Sequence, residues 1–235
     1  MAPSASRQTA SSKLPAVILA AGRGERLHGH QGKGLKPLTP LLGITLLERA
    51  ALACQSVGVT DCYIVVGYGQ ERMQAHIADL SARYHMSLHA VPNPNWRDGN
   101  GASASAVQPY IDGPFLLLMC DHVFDAGILQ GLIQAGQGSE ACLLAVDDRI
   151  ESIFDLDDAT KVQRDGSAIT SIGKELTAYN SIDTGLFWCQ PVLFNALTEA
   201  QAAGDASLSG GIRRVIATAN MQAVPIGDQF WMDID

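Results

Sequence analysis

Short aliphatic and β-branched runs alternate along the chain with longer stretches in which apolar positions recur every three or four residues, a pattern that predicts a sheet covered by helices on both faces. Buried strands are predicted at 14–20 (LPAVILA), 62–67 (CYIVVG), 87–91 and 115–120 (FLLLMC), then at 141–146, 161–164, 168–173 and 182–188. Helical patterns fall between them at about 44–57, 70–84, 102–110 and 125–136, and again near 191–202 and 208–219. The alternation weakens after residue 146, where 147–158 is an acidic connector and strands begin to follow strands. A mixed sheet is therefore expected in the second half. No internal repeat or Pro/Gly/Ser linker divides the chain after residue 13, so residues 14–235 read as one domain.

Composition narrows the class. With 235 residues, 47% hydrophobic and 17% charged, the chain is globular rather than disordered, and a domain of this size buries roughly 70% of its unfolded surface. Its net charge of −8, from 24 acidic against 16 basic residues, argues against nucleic acid as a partner, since phosphate neutralisation needs clustered Lys and Arg. Cys54, Cys62, Cys120, Cys142 and Cys189 form no C-x-x-C pair and are odd in number, so a reducing cytoplasm is expected rather than a disulfide framework. No apolar run reaches the ~20 residues of a membrane span. Residues 1–13 (MAPSASRQTASSK) lack the apolar core of a secretory signal and read as a disordered N-terminal arm.

Candidate chemistry begins after the first strand, where the chain reads Ala21-Gly22-Arg23-Gly24-Glu25-Arg26-Leu27 and continues to Lys33-Gly34-Leu35-Lys36-Pro37-Leu38. Five glycines and four basic residues lie between Gly22 and Lys36. A loop leaving the C-terminal end of the first strand of an open α/β sheet is a usual ligand site; bare glycines let main-chain N–H groups approach phosphate oxygens, and Arg and Lys supply charge. A dinucleotide fingerprint would need glycine at position 27, which is Leu, and Lys33 is followed by Gly34 rather than by Ser or Thr. Both standard glycine motifs fail. Asp121 follows the apolar run FLLLMC, which would bring its carboxylate out at the same edge, although an Asp at a strand end also caps turns. Asp233 lies in a second short strand signal, FWMDID, with Asp235 two residues on. Magnesium binds through one or two carboxylates plus substrate phosphates, which suits such a pair.

The order L-A-A-G-x-G-x-R-L, a short gap, then L-K-P-L resembles the nucleotidyltransferase superfamily of sugar-phosphate and alcohol-phosphate activating enzymes. The resemblance continues through Trp96-Arg97-Asp98-Gly99-Asn100-Gly101 with Ser103, Met119-Cys120-Asp121-His122-Val123, Ile172-Gly173-Lys174-Glu175-Leu176, Asp183-Thr184-Gly185 and Trp231-Met232-Asp233-Ile234-Asp235. Together these are similar to the CTP:inositol-1-phosphate cytidylyltransferases, often fused to a membrane CDP-alcohol phosphotransferase domain. Members usually continue past W-M-D-I-D, so the domain is read as cut from a longer protein or as ending unusually.

That resemblance implies a Rossmann-like, GT-A-like α/β/α domain with a mixed, mostly parallel sheet, and transfer of CMP from CTP to a phosphorylated polyol. Lys36 and Arg26 would be the cations on the triphosphate, Lys36 at the α-phosphate. Leu19, Ala20, Ala21, Gly22 and Gly24 with Asn100, Gly101 and Ser103 would lie against the nucleotide. Asp121 and Asp233 would hold Mg2+. Lys174 would meet the acceptor phosphate and Asp183 the acceptor body, while Lys161 holds either a phosphate or an acidic neighbour such as Asp157 or Asp158. Lys33 and Arg23 are further candidate cations. His28, His30 and His122 lack metal-ligand spacing on a helix and are assigned no chemistry. Other acceptors fit the same residues: phosphocholine, 2-aminoethylphosphonate or a sugar 1-phosphate. For a quaternary amine, Phe154, Tyr179, Phe187 and Trp188 could build an aromatic cage. A regulatory domain that binds nucleotide without turnover is the rival from another class.

Overall fold

The computed structural model describes residues 14–23, 34–218 and 220–234; the predicted arm at 1–13 lies outside them. Its centre is β1 (Ala16–Leu19), four buried apolar residues that alternate between two cores. Ala16 and Ile18 face one side, Val17 and Leu19 the other. A strand apolar on both faces belongs inside a sheet covered twice. Accordingly β1 lies parallel between β4 (Asp61–Val66) and β6 (Phe115–Met119), with β5 (Ser87–Pro92) parallel beyond β4.

Ile18 packs with Leu47 and Cys54 of α1 (Leu46–Ser56), Met73 and Ile77 of α2 (Gln70–Tyr84) and Leu129 of α4 (Gly127–Gly136). Val17 packs with Ala104 of α3 (Asn100–Ser105), Leu193 and Phe194 of α5 (Val192–Ala202) and Ile212 of α6 (Leu208–Ala217). The three-layer architecture follows from that alternation. On the second face the rings of Phe115 and Phe194 stack with centroids 5.2 Å apart.

Beyond β6 the sheet changes character. β11 (Ser181–Cys189) runs antiparallel between β6 and β8 (Cys142–Asp147), followed by β12 (Met221–Pro225), β10 (Ala168–Gly173) and β9 (Lys161–Asp165). The start of β11 also pairs with β9, Ser181 opposite Val162 and Ile182 opposite Lys161, so these five strands close on themselves. The sheet is mixed, as the sequence pattern predicts. Parallel pairing is confined to β5-β4-β1-β6 and β8–β12, a smaller share than a mostly parallel sheet would show, because β11 returns antiparallel against both of its long neighbours.

Two ribbons stand off the main sheet: β2 (Pro40–Leu41) with β3 (Ile44–Thr45), and β7 (His122–Phe124) with β13 (Trp231–Asp233). The first shortens the helix expected from residue 44, which starts at Leu46 once Thr45 caps it by accepting from the Glu48 N–H at 3.1 Å. The helix expected over 102–110 is α3 followed by a 3-10 turn at Gln108–Tyr110, since Pro109 removes an N–H and restricts the residue before it. β12, in MQAVP, was not visible in the pattern, for it buries only Met221 and Ala223.

Glycine has a steric duty at one helix contact. A Cβ on Gly101 would lie 2.6 Å from the main-chain oxygens of Ala206 and Ser207, at the start of α6. Gly131, inside α4, has nothing among the described residues within 4 Å of that position. Gly101→Ala is expected to cost about 1–3 kcal/mol, about 2–4 °C of Tm per kcal/mol in a domain of this size, whereas Gly131→Ala should hold Tm or raise it. Thermal unfolding of the two variants beside the wild type checks this; equal shifts would refute the backbone contact.

Candidate active site

β1 and β6 end together. The Cys120 N–H donates to Leu19 O at 3.1 Å, so Asp121 emerges beside the segment Ala20–Ala21–Gly22, at the edge where ligands bind in open α/β sheets. Leu19, Ala20 and Ala21 are buried, with the Ala20 N–H on Val65 O and Ala21 O accepting from Tyr68 N–H, both at 3.0 Å. Gly22 is exposed, and a Cβ there would meet nothing within 4 Å among the described residues. Gly24, Arg26, His28, His30, Lys33 and Asp235 lie outside the described residues.

Across this edge sits Lys36, in a 3-10 turn between buried Leu35 and Pro37. Leu35 anchors the turn by filling the space a Cβ on Gly69 would occupy. Lys36 is only 7% exposed, and its Nζ lies 2.8 Å from Asp121 Oδ2 and 3.9 Å from Asp233 Oδ1. A charge buried this deeply requires such partners. Burial alone would push the Asp121 carboxyl up, but His122 and Lys36 outweigh it and hold it below the usual carboxylate range.

Asp233 reaches the same place on the β7/β13 ribbon, where it stands opposite His122. The Ile234 N–H donates to Asp121 O at 3.1 Å, and at the other end Asp125 and Phe230 exchange bonds of 2.8 and 2.9 Å. A clamp from the main sheet secures the approach to β13: the Arg149 guanidinium grips both oxygens of buried Asp147 at 3.0 and 2.9 Å and donates to Gln229 O at 2.7 Å. Ligand atoms of Asp121, His122 and Asp233 lie within 4.8 Å of one another. Lys36 faces Asp121 Oδ2 and Asp233 Oδ1, whereas Asp121 Oδ1 and Asp233 Oδ2 turn toward His122. Two hard carboxylate oxygens presented to one space fit a divalent cation. The sequence reading missed His122 and Arg149; the Asp-His adjacency was the available signal for the first, and nothing local marked the second.

Beside Ala21, Tyr68 and Trp96 form an aromatic wall with ring centroids 5.8 Å apart, overlain by Arg23 at 5.4 Å and Arg97 at 4.3 Å. Asn100 is exposed at the start of α3. Gly101 is occupied in packing against α6, and the Ser103 hydroxyl accepts from Asn93 Nδ2 at 3.0 Å in a buried pair.

On the acceptor side expected from the sequence, Asp183 Oδ1 accepts from the Gly185 N–H at 2.7 Å. Burial pushes its carboxyl up to about 6, the Gly185 N–H and nearby His122 offsetting only part of that cost. Lys161 is 9% exposed and donates to the main-chain oxygens of Lys174 at 2.8 Å and Asp157 at 3.4 Å. It therefore engages carbonyls rather than the side chains of Asp157 or Asp158, and pins the backbone from which Lys174 extends to an ion pair with Asp158. The four aromatic residues do not form a cage: Phe154 is 95% exposed, while Phe187 and Trp188 are buried in opposite cores.

The raised Asp183 carboxyl predicts a pH signature. Between about pH 4, its ordinary range, and about 6, the unfolded chain has released a proton that the folded chain keeps, so folded-state stability falls across this window and levels above it. Asp183→Asn keeps the acceptor for the Gly185 N–H without the charge. Its Tm should therefore gain on the wild type from pH 4.5 to 6.5, by the equivalent of at most about 3 kcal/mol; parallel Tm curves would refute the assignment.

A MobA-like NTP transferase domain model matches residues 16–224. A protein of Rubrobacter xylanophilus named bifunctional IPC transferase and DIPP synthase is 30% identical over 97% of this chain and 51% of its own length; a protein of the same name from Thermococcus kodakarensis is 31% identical over 94% and 47%. The chain thus spans about half the length of these curated relatives. A CMP-5'-(3-aminopropyl)phosphonate synthase of Streptomyces rubellomurinus is 33% identical over 53% of this chain and 20% of its own. Among solved structures, the inositol-1-phosphate CTP transferase from T. maritima superposes with a TM-score of 0.84 at 25% identity, covering 95% of this chain and 90% of that one. With the family model spanning the sheet from β1 to β12, and the nucleotidyltransferase fold shared with that structure, this chain belongs to the MobA-like NTP transferase family.

Proposed function

We propose that this domain transfers a cytidylyl group from CTP to a phosphorylated polyol of the inositol 1-phosphate type, releasing pyrophosphate. The observation that carries the reading is the Lys36 ammonium, buried 2.8 Å from Asp121 and 3.9 Å from Asp233 at the end of the glycine-rich sequence. The name of the T. maritima structure supplies the nucleotide and acceptor.

An acceptor phosphate monoester has its second pKa near ~6 and is mostly dianionic at neutral pH, so no residue has to remove its proton. One of its oxygens bonds to the α-phosphorus, the bond from that phosphorus to the β-bridging oxygen breaks, and pyrophosphate leaves in line. The chain's task is placement and charge. Lys36 faces the α-phosphate and balances the charge that moves onto the leaving group, with Arg26 assigned to the same triphosphate. Leu19 to Gly22, Gly24, Asn100, Gly101 and Ser103 are assigned to the nucleotide side, Gly101 and Ser103 through the packing that seats α3. Asp121 and Asp233 would hold Mg2+, which when bound draws charge from the phosphate oxygens. Lys174 is assigned to the acceptor phosphate and Asp183 to acceptor hydroxyls, with Lys161 fixing the backbone beneath them. A membrane CDP-alcohol phosphotransferase, covalently linked or separate, is proposed as the consumer of the product. No helix among the described residues is long and apolar enough to cross a membrane, and a cytoplasmic location is part of the proposal. A phosphonate acceptor is the second reading, favoured by the Streptomyces relative.

A matrix of nucleoside triphosphates against inositol 1-phosphate, 2-aminoethylphosphonate, phosphocholine and glucose 1-phosphate, scored by pyrophosphate release with magnesium, decides substrate and class. CTP with inositol 1-phosphate should give the highest kcat/KM; CTP binding without release for any acceptor would mark a regulatory domain. Lys36→Ala should lower kcat by about 10²–10³ with a smaller change in CTP affinity, checked by single-turnover rates and calorimetry. Loss of CTP binding with an unchanged saturated rate would move the catalytic role elsewhere.

Lys174→Ala should raise the acceptor KM and leave CTP affinity near wild type. Steady-state kinetics in both substrates separates this from the reverse assignment.

A further inference from the structure

The D-T-G string of β11 has a use that the proposed reaction does not absorb. Thr184 O lies 2.6 Å from His122 Nδ1 and the Trp231 indole N–H lies 3.2 Å from the same nitrogen; a carbonyl can only accept, so the shorter contact puts the proton on Nδ1, and the indole N–H then makes no hydrogen bond to it. Gly185 has φ +71°, and a Cβ there would stand 2.4 Å from His122 Cε1 and 2.5 Å from Nδ1. Glycine therefore makes room for the ring. The Trp231 indole meets the imidazole edge-on, with centroids 5.6 Å apart at 68°. Carbonyl, bare glycine and indole together fix the imidazole in one orientation.

That orientation aims Nε2 between the carboxylates. Nε2 lies 3.7 Å from Asp233 Oδ2 and 3.9 Å from Asp121 Oδ1, too far for hydrogen bonds. Donors bound to one ion at about 2.1 Å stand about 3.0 Å apart when adjacent and about 4.2 Å when opposite, so the three groups are close enough to share an ion after a side-chain shift of under about 1 Å. A backbone carbonyl holding the Nδ1 proton of a histidine whose Nε2 faces a cation is a recurrent arrangement around metal-bound imidazole.

We propose that His122 is a third, nitrogen ligand to the divalent cation, oriented by Thr184 and Gly185. The inference rests on the reading of Asp121 and Asp233 as its carboxylate ligands. An imidazole in the set favours Mn2+ or Co2+ over Mg2+ relative to an all-oxygen site.

The test uses the full chain with Mn2+ alone. Pulsed electron paramagnetic resonance of the complex should show coupling to a directly bonded 14N that becomes a 15N coupling when the protein carries 15N-histidine. His122→Asn keeps a side-chain donor for Thr184 O but has no second nitrogen. It should abolish the coupling, weaken Mn2+ by about tenfold or more and narrow the Mn2+-over-Mg2+ affinity ratio, with its fold verified by circular dichroism. Mn2+ binding that depends on Asp121 and Asp233, but shows no histidine coupling in the wild type, would overturn the His122 assignment and leave the carboxylate pair standing. Binding unaffected by Asp121→Asn and Asp233→Asn, or no wild-type binding at millimolar Mn2+, would overturn both.

Discussion

A lysine ammonium taken out of water must meet opposite charge, and the site is organised around that requirement at Lys36. Asp121 answers it at 2.8 Å and Asp233 at longer range. Two carboxylates this close would in turn repel without cationic company, so neither half of the cluster is comfortable alone. The surrounding structure consists of devices that hold these charges to their places: Leu35 seated over Gly69, the ribbon that brings Asp233 opposite His122, and the Arg149 clamp on Gln229. A substrate with several negative charges offers Lys36 a new partner without exposing it to water.

What the sequence made legible was local. An apolar run followed by glycine and basic residues, a Lys-Pro, and an Asp directly after a second apolar run each carry their chemistry within a few residues, and β1, β6, Lys36 and Asp121 all lie at one sheet edge. The fold class follows from the same runs, because strands buried on both faces admit few architectures. What stayed hidden depends on distant partners. The orientation of His122 comes from a carbonyl 62 residues away. Phe187 and Trp188 look like a candidate cage in the sequence, yet consecutive residues of a strand face opposite ways, and both are absorbed into core. The environment of Lys161 depends on which strand lies beside β9, a matter of topology that no local motif encodes.

Asp183 shows how one residue can carry conflicting demands. It sits where β11 changes register against β8, with its carboxyl turned back onto the Gly185 N–H. The irregularity that lets Gly185 clear His122 also buries the carboxyl and raises its proton affinity. Unfavourable burial of an ionisable group at such a point is a cost of shaping the site.

The β7/β13 ribbon has a temporal consequence as well. Its contacts bridge separations of 105 and 109 residues, from Asp125 to Phe230 and from His122 to Trp231. Chains are made from the N-terminus, and contacts at long sequence separation close late. A growing chain therefore carries Lys36, the glycine-rich loop and Asp121 well before Asp233 exists. Until the ribbon zips, Lys36 has Asp121 but lacks Asp233, and the proposed cation space has one wall missing. On the proposed assignment, nucleotide captured by the early half would meet an incomplete site, and turnover would begin only once the ribbon has docked.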